Sequence, residues 1–193
     1  LIGHDWGSAI AYTAAAMAPK KISAMACAAV PHPLALKLTP KQLFKSWYMI
    51  FFQFRGLSEQ IVQRKHYAFI RFLWRKWSPN LSDSEAAPFI QFVRESLYDK
   101  VHITAVLRYY RESFSAENAK IAQSLFADPI GVPTIAIAGE VDGCIGNEQF
   151  LDMDEFFSSR YEHRELKGAG HFMHLEQPEL FVEAICRFFT EEI

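Results

Sequence analysis

The chain is poor in cysteine, close to neutral, and without any apolar run long enough to span a bilayer. Its three cysteines, Cys27, Cys144 and Cys186, form neither a C-x-x-C pair nor an even disulfide framework. They read as reduced, buried thiols, and the expected location is cytoplasmic. Lys plus Arg number 20 against 22 Asp plus Glu, a net charge of -2. Without an excess of positive charge to attract a polyanion, nucleic acid is not an expected partner. No membrane-spanning stretch is present, and there is no internal repeat or low-complexity segment. An initial methionine is missing too: Leu1 and Ile2 are all that precedes the first turn, and no targeting peptide fits. The expectation is a chain that is one part of a longer protein, truncated at its N-terminal side.

What is present starts with a turn. Half of the 193 residues are apolar, enough for one ordinary core and a satellite. Gly3-His4-Asp5-Trp6-Gly7 follows the end of an apolar strand and precedes Ser8-Ala9-Ile10-Ala11, the start of a helix. This is the arrangement of a nucleophile elbow with Asp in the reactive position, and glycines on both flanks would spare the strained turn a collision. Taken alone, G-x-D-x-G reads more readily as a helix N-cap.

Further elements follow in order. Residues 9–18 form an Ala-rich helix closed by Pro19, and 22–30 a continuous apolar run suited to a parallel strand covered on both faces. Pro31-His32-Pro33 ends it, with His32 as a turn residue. From 34 to 127 the strand-like runs vanish, and aromatic-rich helical patterns cover 40–54, 59–76, 84–97 and 101–114. Strand character returns at 133–139, followed by a helix over 152–158, a short edge-like strand over 161–167 and a last helix over 178–190. The order predicts an α/β fold, the C-terminal part of a mostly parallel sheet flanked by helices. A first core part (1–33) and a second (128–193) are separated by an all-helical cap or lid (34–127).

In open α/β sheets reactive residues gather at the carboxyl ends of strands. Asp5, Asp142 after the 133–139 strand, and His171 after Gly168-Ala169-Gly170 all occupy such places, in the order nucleophile, acid, base. Each has a plainer reading: an Asx-turn for Asp142 and a solvated turn residue for His171.

Gly3-His4-Asp5-Trp6-Gly7, Gly139-Glu140-Val141-Asp142-Gly143 and Gly168-Ala169-Gly170-His171-Phe172 resemble the Asp-nucleophile branch of the α/β-hydrolases, shared by epoxide hydrolases and haloalkane dehalogenases. Two lid segments resemble the former. Ser46-Trp47-Tyr48-Met49 and Leu107-Arg108-Tyr109-Tyr110-Arg111 put the two ring-opening tyrosines at Tyr48 and Tyr110, which otherwise read as core fillers. The second segment departs from the family at Arg108, where Asn is common.

The resemblance implies hydrolysis of an epoxide to a vicinal diol. Asp5 would form an alkyl ester, Tyr48 and Tyr110 would protonate the leaving oxygen, and His171 with Asp142 would activate water. The Trp6 N–H would hold the oxyanion. The second oxyanion donor of the family, carried by a His-Gly-x-Pro motif, has no counterpart here, so the chain by itself is expected to be weakly active or inactive and its full-length parent active. No cofactor and no metal are implied, and detoxification is the implied setting. The partners are a small apolar epoxide and water, with a homodimer left open. Phe51, Phe52, Trp74, Trp77 and Phe89 would supply apolar lid surface. The alternatives are a haloalkane dehalogenase, with Trp6 binding halide, and a catalytically silent fragment or interaction module.

Overall fold

The computed structural model describes residues 1–191. Among these, four parallel strands form one sheet in the order β1-β2-β3-β4: β1 Ile2–His4, β2 Met25–Ala28, β3 Thr134–Gly139 and β4 Tyr161–Leu166. Strand order equals chain order, so every connection is a crossover, and the longest contains the helical insert. Register is continuous, with Gly3 opposite Cys27 and Cys27 opposite Ala136. The two central strands are buried along their whole length, which explains their unbroken apolar sequences.

Alternation sorts their side chains between two cores. Met25, Cys27, Ala136 and Ala138 pack with Tyr12, Phe150 and Phe157 under α1 (Trp6–Met17). Ala26, Ala28, Ile135 and Ile137 pack with Leu166, Met173, Ile185 and Phe188 under α9 (Pro178–Thr190). The alanines of α1 let it lie close to β1 and β2. Ser8, buried on its inner face, donates to the carbonyls of Gly3 (3.0 Å) and Ala28 (2.8 Å).

The insert comprises α2 (Pro40–Lys45), α3 (Trp47–Phe51), α4 (Leu57–Trp77), α5 (Asp83–Ser96), α6 (Lys100–Glu112) and α7 (Ala116–Leu125). Thr39, Ser82, Asp99 and Ser115 cap α2, α5, α6 and α7 through their side-chain oxygens, each satisfying an orphan N–H. Its own core is built from Tyr48, Phe52, Val62, Leu73, Ile103 and Leu107. A buried ion pair, Arg111 to Glu59 at 2.9 Å, binds α6 to α4.

Several sequence expectations are corrected. The 40–54 helix breaks at Ser46 into α2 and α3. The 59–76 helix is interrupted at 64–67, where Lys65, His66 and Tyr67 adopt left-handed conformations; Arg71 donates to the carbonyls of His66 (2.5 Å) and Lys65 (3.3 Å) there. The apolar run at 22–30 yields only the four residues of β2 because Ala29 turns left-handed (φ 65°). No helix spans 152–158: Asp152 is left-handed (φ 59°), and a 3-10 turn at Asp154–Phe156 follows. The helix α7 and the short α8 (Met173–Glu176) were not foreseen. Of the cysteines, Cys27 and Cys144 are buried but Cys186 is exposed. His32 does sit at the turn, yet it is a core residue, stacked on Phe156 at 4.6 Å; burial pushes its pKa down to about 4. No described helix is long and apolar enough to cross a membrane.

Candidate active site

Asp5 sits between β1 and α1 with φ 53° and ψ -119°, a conformation that is costly for a non-glycine residue. Its N–H extends the sheet ladder to the Ala28 carbonyl (3.0 Å), and its own carbonyl accepts from Ser8 and Ala9. The side chain makes no capping bond to α1, so the N-cap reading does not hold. The expected glycine requirement is met on one flank only. A Cβ at Gly3 would lie 2.4 Å from the Gly7 carbonyl oxygen, whereas one at Gly7 would meet nothing within 4 Å.

The Asp5 carboxylate is turned toward His171, whose Nε2 lies 3.2 Å from Oδ1. Nδ1 of the same ring is 3.0 Å from Oδ2 of Asp142. The other carboxylate oxygen of Asp142 accepts from the backbone N–H groups of Cys144 (2.6 Å) and Ile145 (3.0 Å). This fixes its orientation, and both Asp142 and His171 are buried. The loops bearing them are sutured to the end of α4: the Trp77 carbonyl accepts from Gly143 N (3.1 Å) and His171 N (2.9 Å). Gly143 is required there, since a Cβ would come 1.8 Å from the Lys76 carbonyl oxygen. Ser78 Oγ accepts from Phe172 N at 2.8 Å, and Gln42 reaches from α2 to Cys144 O (2.9 Å) and Gly146 N (3.1 Å).

Electrostatics follow from this arrangement. Burial opposes charge on His171, but the carboxylates of Asp142 and Asp5 on either side of the ring outweigh it, and the imidazole pKa rises above its ordinary value. Burial likewise opposes charge on Asp5, and the hydrogen bond from His171 overcomes it, so this carboxyl is held below the usual carboxylate range. The Trp6 N–H adds to that depression.

The insert supplies the ceiling. Tyr48 and Tyr110 meet edge to face at 5.8 Å, and the Tyr48 hydroxyl is 3.2 Å from Cys144 Sγ. The Trp77 ring packs on Tyr48 at 4.9 Å and on His171 at 5.4 Å. Burial raises the pKa of both phenols, and the Asp5 charge adds to it. The Trp6 indole leans on Tyr109 (5.5 Å) and Tyr110 (5.4 Å). Arg108, where the motif departs, is turned outward to Glu112 at 3.3 Å and leaves Tyr110 undisturbed. Behind Tyr110 and Trp77 lies an apolar cavity of about 130 Å³, walled also by Phe52, Trp74 and Leu107. Phe51 and Phe89 do not line it.

The domain model for the alpha/beta hydrolase fold matches residues 1–178. The chain belongs to the α/β-hydrolase fold family. Among α/β-hydrolase relatives it is 25% identical to epoxide hydrolase 3 of Xenopus tropicalis, over 100% of this chain and 52% of that protein. It is 24% identical to epoxide hydrolase A of Mycobacterium tuberculosis, over 98% of this chain and 68% of that protein. Against several of these α/β-hydrolases, then, the chain spans about half of their length. Among solved structures, a variant of an epoxide hydrolase from Bacillus megaterium superposes with a TM-score of 0.76 at 21% identity, covering 98% of this chain and 68% of that one. That likeness establishes the α/β-hydrolase fold.

Sequence reasoning gave no site role to His4, Cys144, Ser78 or Gln42, and read Trp77 only as apolar lid surface. Only Cys144 carried a readable signal, lying two residues beyond the predicted acid.

Proposed function

We infer that this chain carries the nucleophile, base, acid and lid of an epoxide hydrolase. The observation behind this reading is a single one: a carboxylate on a strained elbow, bonded to a buried imidazole, with two adjoining phenols close enough to feel its charge.

In the first step an Asp5 oxygen attacks an epoxide carbon. One C–O bond forms, the ring C–O bond breaks, and the leaving oxygen takes a proton from Tyr48 or Tyr110. The product is an alkyl ester of Asp5. Because the ester is neutral, one of the charges that raised the His171 pKa disappears. His171 can then give up its proton to restore the phenol and becomes the neutral base the next step needs.

In the second step His171 removes a proton from water as the oxygen attacks the Asp5 carbonyl carbon, with the Trp6 N–H stabilising the oxyanion. The acyl C–O bond then breaks, the imidazolium proton passes to the leaving alkoxide, and the diol departs. A serine in place of Asp5 would give an ether with no carbonyl for water to attack.

Residues 34–127 act as the lid over the core parts 1–33 and 128–193. An engineered cavity of roughly 150 Å³ holds benzene, so the space behind Tyr110 suits an aryl or short alkyl group on the oxirane. With its indole packed against Tyr109 and Tyr110, Trp6 is engaged in ring contacts, which favours phenol-assisted ring opening over halide binding.

The test is single-turnover reaction in ¹⁸O-labelled water with mass analysis of the Asp5 peptide. The ester route places label in the diol only after label has entered Asp5, and direct appearance of label in the diol on the first turnover would overturn it.

A further inference from the structure

The buried thiol of Cys144 has no part in the chemistry above. One donor atom from each of Asp5, Cys144 and His171 lies within 4.8 Å of the other two. Carboxylate oxygen, thiolate sulfur and imidazole nitrogen are the three ligand types that zinc takes.

We propose that these three side chains bind one thiophilic divalent cation, with Zn²⁺ as the probe, and that the occupied site cannot perform catalysis. The claim of binding stands on geometry alone; the claim of inhibition rests on the epoxide-hydrolase reading.

Four features of the site favour a cation. Zinc bonds of about 2.0–2.3 Å in a tetrahedron hold their donors roughly 3.3–3.8 Å apart. The Asp5 to His171 separation of 3.2 Å is already close to that, and the Cys144 sulfur lies within 4.8 Å of both. The second imidazole nitrogen is held by the Asp142 carboxylate at 3.0 Å, the outer-shell partner that orients metal-bound histidines.

Charge balances as well. A carboxylate, a thiolate, a neutral imidazole and a doubly charged cation sum to zero, which suits a buried setting. On coordination the cation replaces the thiol proton, which leaves to solvent, and the Tyr48 hydroxyl 3.2 Å from Sγ can donate to the resulting thiolate. Lastly, three protein ligands leave a fourth position for water, on the side where Asp5 is partly exposed (31%).

A hard cation such as Mg²⁺ prefers six oxygens and would find one carboxylate. With Zn²⁺ bound, the Asp5 oxygen and the His171 nitrogen are both occupied, and nucleophile and base are lost together.

The experiment titrates the metal-stripped chain with Zn²⁺ against a chromophoric chelator, and with Co²⁺ while recording the sulfur-to-cobalt charge-transfer absorption. One equivalent should bind, with a charge-transfer band of a single thiolate. Cys144→Ala should abolish the band and weaken Zn²⁺ by at least about tenfold, while Cys186→Ser should leave both unchanged. Since Cys144 is buried, Asp5→Asn serves as a second variant, expected to weaken Zn²⁺ while retaining the band.

A band that persists in Cys144→Ala, a band that vanishes in Cys186→Ser, or no binding by the folded chain overturns the proposal. Zn²⁺ binding at Cys144 in a metal-free chain whose epoxide turnover in ¹⁸O-labelled water puts no label into Asp5 would sink the hydrolase reading and leave the site standing. Turnover unaffected by bound Zn²⁺ would sink the inhibitory half.

Discussion

His4 Nε2 lies 2.8 Å from the carbonyl oxygen of His171, so the residue before the proposed nucleophile is bonded to the backbone of the proposed base. Burial, aided by the nearby His171 charge, pushes the His4 pKa down to about 4, and the neutral ring donates through Nε2–H. Replacing His4 with Phe keeps the ring contacts and removes that bond. A fall of about tenfold in kcat/KM is expected, equivalent to about 1.4 kcal/mol, measured with any epoxide the chain turns over.

Tyr48 and Tyr110 should act together on the leaving oxygen, both hydrogen-bonding it while one gives up its proton. Each single Tyr→Phe variant is expected to slow ester formation by about 10²-fold or more, within the range of general acid catalysis, and the double variant to abolish it. Rapid-quench detection of the Asp5 ester separates this step from hydrolysis. An unchanged ester-forming rate in the double variant would remove both phenols from the mechanism.

Ester hydrolysis needs neutral His171, so its rate should rise with pH through the His171 pKa. The Asp142 carboxylate helps raise that pKa. Asp142→Asn should therefore move the rise to lower pH while cutting the plateau by as much as about 10⁴, as for other carboxylate–imidazole pairs. Single-turnover decay of the ester across a pH series reports both.

Stability at low pH should depend on the lid ion pair. Burial works against ionisation of Glu59, yet the Arg111 bond prevails and lowers its pKa from 4.5 to about 2. A depressed pKa gives stability that is complete above the unfolded value and lost as pH falls from there toward 2. Urea unfolding at pH 6 and pH 3 should show a loss on the order of 2 kcal/mol in the native chain and a smaller one in Glu59→Gln.

The two elbow glycines should respond differently to alanine. Gly3→Ala forces a carbon to within 2.4 Å of the Gly7 carbonyl oxygen, and a loss of about 3 kcal/mol is expected. Gly7→Ala meets open space and should change Tm by little. Thermal melts of the two variants side by side decide the point.

The sheet was legible because its central strands are continuously apolar, and the Asp5, Asp142 and His171 grouping because all three follow the carboxyl ends of strands. Asp5 needed more than its motif. Only its partners, 137 and 166 positions further along, mark it as a candidate nucleophile, and only coordinates show that its side chain leaves α1 uncapped. Local pattern failed where tertiary contact decides: the left-handed break at 65–67 is bridged by Arg71 from the next turn, and Ala29 and Asp152 end elements through backbone angles that composition does not encode. His4 was invisible for a similar reason, since its role depends on which atoms face it.

The Trp77 carbonyl, shared between Gly143 and His171, has a mechanical corollary. Together with the reach of Gln42 to Cys144 and Gly146, it makes the insert and the acid-bearing loop move as one piece. On the opposite flank Trp6 meets Tyr109 and Tyr110 side chain to side chain, without reaching the backbone of the insert through those rings. Backbone bonds thus hold the insert on one flank and side-chain packing on the other, and an opening toward the carboxylate is expected to part the contacts around the indole first.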